Sequence, residues 1–233
     1  MMFKSISEVD KELFSKRGEG TRYSLIMAGL ELFGEYGLIG TSTRMLSKLS
    51  GANISAIPYH FGSKEGLYKA VVVYIGERVN IHMQNTKNEI QGILEKDILT
   101  REEASAALLK LLEGIAKLFI ESSEPKSWAK IIIREQFNPT DAFNLLYDAY
   151  MKPIQHMLSQ LIATCTGLDS HSDEVKIRGH AFIGQILGFL VSHESILRHL
   201  GVKELEKKHI DLIHKVLLAH TQACLKVPNL SEA

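Results

Sequence analysis

Residues 41–68 read TSTRMLSKLSGANISAIPYHFGSKEGLY, and the punctuation of this stretch decides the fold. A short helix is expected over about Ser42–Ser50, with Thr41 placed to cap it. Gly51-Ala52-Asn53 makes a tight turn, and Asn53 is a natural N-cap for a second, very short helix reaching about Tyr59. Ser63 then caps a long helix beginning at Lys64. Helix, three-residue turn opening on glycine, helix is the helix-turn-helix unit, whose second helix lies in the DNA major groove. Leu46, Leu49 and Ile57 are spaced to lock the two helices together, leaving Ser55, Ala56, Tyr59 and His60 outward. Small residues at 55 and 56 allow close backbone approach, and an exposed Ile54 suits a thymine methyl group. Hydroxyls at Thr41, Ser42 and Thr43, with free backbone N–H groups, suit a phosphate, and Lys64 suits another.

Working outward, residues 21–70, TRYSLIMAGLELFGEYGLIGTSTRMLSKLSGANISAIPYHFGSKEGLYKA, resemble the DNA-binding domain of TetR-type transcriptional regulators. Ala28, Phe33, Gly37, Thr41, Gly51, His60 and Phe61 stand at the family's spacing, as do Ser63, Lys64, Glu65 and Leu67. The resemblance implies that Thr41, Ser42, Thr43, Arg44 and Lys64 touch phosphates while residues 54–60 face the major groove. One position departs: the tyrosine usual two places before His60 is Pro58, with Tyr59 beside it. The stretch REQFNPTDAF, residues 134–143, looks similar to a TetR subgroup whose C-terminal domain has largely unassigned ligand specificity. The resemblance implies a cytoplasmic bacterial repressor, released by a ligand and acting as a homodimer on a palindromic double-stranded operator. It also makes the last two helices a dimer interface, a four-helix bundle with the partner's copies.

The rest of the chain reads as all-α. It holds five prolines in 233 residues, no alternating β-branched runs, and apolar residues at i, i+3, i+4 from Leu25 to Leu225. A first helix over about Thr21–Tyr36 carries Ile26, Leu30 and Phe33 on one face and stops at Gly37. Thr100 and Glu103 form a capping box opening a helix to about Glu121. Pro125 opens the next, which ends near Phe137. Thr140 caps its successor, which closes on Gly167 and is kinked or divided at Pro153. Helices over about Ser172–Leu200 and Lys203–Val227, joined by Gly201, bring the expected number to nine. The organisation expected is an N-terminal arm at 1–19, a DNA-binding domain at 20–68, a ligand-binding and dimerisation domain at 69–227, and a tail at 228–233.

Formal charge is zero overall, which argues against non-specific coating of nucleic acid. Residues 16–69 nevertheless hold seven basic and four acidic groups, a local excess of +3. No signal-peptide core or bilayer-spanning run is present, so a soluble protein with no membrane partner is expected. Cys165 and Cys224 lack paired spacing and read as reduced thiols. Trp128, Phe137, Phe143 and Tyr147 are candidates for an apolar ligand pocket, with Arg134, Gln136, His156 or Gln185 orienting a ligand. Ordinary core packing is the other reading of these aromatics, and Arg134 and Glu135 read most simply as surface or ion-paired groups. Gly184 and Gly188, on the same face as Ala181 and beside Phe182 and Leu190, are the dimer candidates. The alternative is that this face packs within one subunit. No metal or cofactor is expected beyond an unidentified small-molecule effector. A helical-bundle enzyme would need paired carboxylates, a Glu-x-x-His set or an activated nucleophile, and none is present. A helix-turn-helix serving only protein contact is the remaining rival.

Overall fold

The computed structural model describes residues 19–121 and 125–226 and contains no strand among them. In chain order the helices are α1 Glu19–Gly40, α2 Thr43–Ser50, α3 Ala56–Phe61, α4 Lys64–Leu94, α5 Arg101–Ala116 and α6 Pro125–Phe137. They continue as α7 Asp141–Leu146, α8 Lys152–Thr166, α9 Asp173–Val191, α10 His193–Leu200 and α11 Lys207–Cys224. π-helical turns extend α5 over Lys117–Glu121 and lead into α8 over Tyr147–Met151. The all-α expectation holds, and two of the nine expected helices are each divided. The arm before Glu19, Val227 and the tail lie outside the described residues.

Two compact units result. Among the described residues, the first comprises the chain up to Gly76 together with Lys126–Leu146; the second comprises Glu77–Pro125 and Tyr147 onward. The expected boundary at 68/69 thus falls inside α4, which contributes its first part to one unit and the remainder to the other. Residues 126–146, expected in the C-terminal domain, group with the N-terminal helices.

In the first unit, α1 packs against α2 and α3 and buries Leu25, Ile26 and Phe33. Leu46, Ile57, Leu67, Val71, Ile75 and Ile131 are among its other fully buried apolar side chains. Such burial stabilises by about 1.5–3 kcal/mol per large side chain. Gly37 leaves the helical region, at φ 72° and ψ 176°, so regular helix stops where the sequence predicts. A last turn follows to Gly40. Thr41 is 1% exposed, and its hydroxyl lies 3.0 Å from the Leu32 carbonyl and 2.8 Å from that of Gly37, able to donate to either. It is therefore spent on the end of α1. The N-cap of α2 is Ser42, whose hydroxyl accepts from the Met45 N–H, a correction of one residue. Asn53 does the capping before α3, as expected: its Oδ1 accepts from the N–H and hydroxyl of Ser55 and its carbonyl from the Ala56 N–H, while Ser55, already helical, makes no side-chain cap bond. Ser63 caps α4 as expected, accepting from the Gly66 N–H at 3.0 Å.

In the second unit α8 packs on α5 and α9, and α11 packs on α5. Leu108, Leu111, Leu158, Leu161 and Ile162 are buried there. The Thr100–Glu103 capping box forms as predicted, and α8 and α10 close on left-handed Gly167 and Gly201. Pro153 sits in the first turn of α8, just after the π turn that divides the expected long helix. The other division falls at Ser192, whose hydroxyl donates back to the Gly188 carbonyl, a local bond that competes with helix continuation. The final helix starts at Lys207 rather than Lys203, because Glu206 and His209 form a reciprocal cap. No described helix is long and apolar enough to cross a membrane.

Candidate nucleic-acid interface

The helix-turn-helix is assembled from local signals. Gly51 at φ 69° ends α2, and the Ala52 carbonyl receives the Ser47 hydroxyl at 2.5 Å. Leu46 and Ile57 are buried beneath the two helices, while Leu49, expected beside them, is 46% exposed. Position 49 follows Leu46 by only three residues, on the flank of a short helix whose core contact Leu46 already fills.

The outward row is Ile54, Ser55, Pro58 and Tyr59, all exposed, with Tyr59 at 83%. Ala56 and His60 are half-buried at its flanks. The Tyr59 and His60 rings meet edge to face at 4.8 Å. Pro58 costs the helix no bond: the Ile54 carbonyl it would have used accepts from the Ile57 N–H, and proline is tolerated in a first turn. The row presents an apolar residue, a hydroxyl and an aromatic ring on a rigid base, the combination that reads groove edges.

Around it, Ser42 and Arg44 are exposed and Thr43 half-buried. The first free N–H groups of α2 lie beside them, as a phosphate contact requires. Thr41 turns its hydroxyl inward, so only its backbone remains for such a contact. Lys64 Nζ donates to the Leu38 carbonyl at 2.8 Å and the Thr41 carbonyl at 3.0 Å, tying the start of α4 to the end of α1. One ammonium hydrogen is left over. The Glu65 carboxyl is held below the usual carboxylate range by its own backbone N–H and by Ser63, which reports the anion-favouring field at the α4 N-terminus.

Sequence reasoning missed the support behind this surface. Glu135, expected at the surface or ion-paired, is 1% exposed. Its carboxylate accepts from the Tyr68 hydroxyl at 2.7 Å and from the Thr140 N–H and hydroxyl at 3.0 and 3.1 Å. Arg134 donates to the Glu35 carbonyl at 3.0 Å, and Lys130 pairs with the Glu35 carboxylate at 2.5 Å. These bonds hold 126–146 in the first unit, and no periodicity in either segment signals them.

The pocket candidates are divided. Trp128, Arg134, Gln136, Phe137 and Phe143 belong to the first unit, and Tyr147, His156 and Gln185 to the second. Trp128 is buried and Phe137 is 80% exposed. Of the eight, only Gln185 lines the cavity of the second unit, which lies between α5, α9 and α11. Among the dimer candidates, Ala181, Gly184 and Gly188 are exposed on one face of α9; Phe182 is buried and Leu190 half-buried. Among the described residues no cluster of three His, Cys, Asp or Glu side chains is placed to hold a metal.

Known proteins align with both halves. A model of the bacterial regulatory proteins of the tetR family matches residues 25–71, and one of the C-terminal domain of the HTH-type transcriptional dual regulator CecR matches residues 104–226. The CecR of Shigella flexneri is 31% identical over 210 residues, spanning 90% of this chain and 93% of its own. In fold, the chain is similar to GusR of Salmonella enterica, with a TM-score of 0.58 at 18% identity over 91% of this chain and 98% of GusR. It is also similar to AibR solved with isovaleryl coenzyme A and operator DNA, with a TM-score of 0.59 at 14% identity over 86% and 97% of the two chains. The chain therefore belongs to the TetR family of bacterial transcriptional regulators, and its helix-turn-helix is the DNA-binding element of that family.

Proposed function

We propose that the protein is a homodimeric repressor that acts in the cytoplasm, by binding and not by catalysis, on a two-fold operator from which a small-molecule effector releases it. One observation carries the dimer. Ile177, Ala181, Gly184, Gly188 and Val191 form a continuous exposed row along α9, with Ile177 67% exposed. Leu212, Val216 and Ala219 form a second exposed row on α11. Contiguous exposed apolar rows are the kind of surface that a partner covers. A Cβ added at Gly184 or Gly188 would meet nothing within 4 Å, leaving room for a partner's backbone to approach. Two copies joined this way support a pair of recognition helices about one helical turn of DNA apart, roughly 34–36 Å. Of the interface candidates, Ala181, Gly184 and Gly188 carry this reading; Phe182 serves the core.

On the DNA, Ser42, Thr43, Arg44 and Lys64 contact phosphates while Ile54, Ser55, Ala56, Tyr59 and His60 face the groove. Release follows if the effector binds more tightly to a state whose recognition helices no longer match the operator spacing, since equal affinity for both states shifts nothing. Sedimentation velocity at micromolar concentration tests the dimer: a single monomeric species would overturn it, and Gly184→Arg should produce one from a wild-type dimer. Fluorescence anisotropy on the DNA upstream of the protein's own reading frame, with random DNA as competitor, tests the operator. Binding no better than to the competitor would remove a local operator from the proposal.

A further inference from the structure

The second unit holds a cavity of about 410 Å³ between α5 with its π-helical continuation, the middle of α9, and α11. That volume lies within the range of small-molecule sites. Leu112, Ala116, Phe182 and Ile186 line its interior and are buried. Lys117 and Glu121, the first and last residues of the π turn, are on its rim. π turns inside α-helices recur at functional sites.

The rim charges are unevenly satisfied. Lys117 is committed to Glu113 at 2.6 Å. Glu121 faces His214, whose Nε2 lies 2.9 Å from Oε1 yet off the line a hydrogen bond needs, so that this nitrogen is buried without one. The Gln185 amide makes no hydrogen bond among the described residues. Glu113, Glu121 and Asp211 line the cavity with Lys117 and Lys215, and Lys117 is already spent on Glu113. The cavity therefore offers an apolar bed, a carboxylate with poorly aligned company, and a free amide carbonyl.

We propose that this cavity is the effector site and that its ligand is a small amphipathic organic cation. The apolar body covers Phe182, Ile186 and Leu112, and the protonated nitrogen donates to Glu121 and to the Gln185 carbonyl oxygen. A carboxylate ligand would set acceptor against acceptor at Glu121 and the Gln185 carbonyl. The inference rests on the regulator reading above for its consequence, and on the cavity alone for its chemistry.

Isothermal titration calorimetry of the full chain with 4-phenylbutylamine, 4-phenylbutanol and 4-phenylbutanoate tests it, with operator anisotropy run on the same samples. The amine is expected to saturate at one per chain, tighter than the alcohol, with the acid weakest. Glu121→Gln should weaken the amine roughly tenfold, as loss of a hydrogen bond to a charged group does, while leaving the alcohol unchanged. Gln185→Ala should weaken it less; both residues lie at the rim, and unchanged thermal melts would establish that the variants fold. Binding of the acid as tight as that of the amine, an amine affinity indifferent to Glu121→Gln, or no binding of any probe at millimolar concentration would each overturn the proposal. Operator binding that survives such a failure leaves the regulator reading standing; amine binding without operator binding leaves the site standing and that reading fallen.

Discussion

The Tyr68 hydroxyl of α4 donates to Glu135 Oε1 of α6 at 2.7 Å across 67 positions of sequence. Both residues are buried, and among the described residues no lysine or arginine pairs with the carboxylate; it is satisfied by Tyr68 and by Thr140. Burial first, and then the neighbouring carboxylate, push the Tyr68 phenol well above its ordinary range, so the hydroxyl stays a donor at any physiological pH. Tyr68→Phe deletes the donor and leaves part of a buried charge unsatisfied, a loss of roughly 1–3 kcal/mol. Glu135→Ala removes the acceptor of three bonds and should cost more. In a double-mutant cycle by denaturant unfolding, the two effects should be non-additive; strict additivity would mean the bond contributes nothing.

This pair also marks the limit of what the sequence discloses. Ser63, Gly51, Gly37, Gly167 and the Thr100–Glu103 box are legible because a cap or a left-handed glycine depends on three or four neighbouring residues. Thr41 and Ser42 present two adjacent hydroxyls, and which turns inward depends on the carbonyls that the break at Gly37 exposes. Glu135 is beyond local reasoning, since its burial depends on a helix far away in the chain. The pocket candidates divide between the two units for the same reason. Aromatic spacing places Phe137 and Tyr147 on helices, but not the unit into which each helix packs.

Gly66 lies in the first turn of α4, where a Cβ would stand 1.9 Å from the Phe61 carbonyl oxygen. That atom is backbone at the end of the recognition helix, so it cannot swing aside as a side chain would. Gly66→Ala is expected to destabilise by roughly 1–3 kcal/mol, as overpacking does, and to weaken operator binding by displacing α3. Denaturation midpoint and anisotropy on the same sample check both. An unchanged midpoint with unchanged affinity would mean that the two helices separate freely.

Glu103 has its carboxyl lowered to about 2, chiefly by the hydrogen bond from Lys96 and then by the Thr100 backbone N–H. A carboxyl depressed on folding contributes stability above its unfolded pKa and loses it as pH falls through the folded one. Glu103→Gln keeps an oxygen for the cap and loses the charge. The variant should therefore be less stable than wild type at pH 6, and the difference should close as pH falls from about 4.5 toward 2. Urea unfolding at intervals of pH measures this, and a difference that stays constant to pH 2 would assign the effect to cap geometry instead.

Lys64 and Tyr59 divide the work of binding in a way that salt dependence separates. Tyr59 stands 83% exposed in the outward row, so Tyr59→Ala should reduce discrimination between operator and random DNA while leaving the salt slope unchanged. Lys64 already holds the Leu38 and Thr41 carbonyls, which leaves one ammonium hydrogen for a phosphate. If its remaining N–H meets a phosphate, Lys64→Ala lowers affinity for all sequences together and reduces the salt slope by about 1. If it acts only by fixing α1 against α4, affinity falls with the slope intact and the unfolding midpoint falls in parallel. The phosphate role predicts the first pattern in anisotropy titrations at several salt concentrations; the second would confine Lys64 to holding the helix-turn-helix in shape.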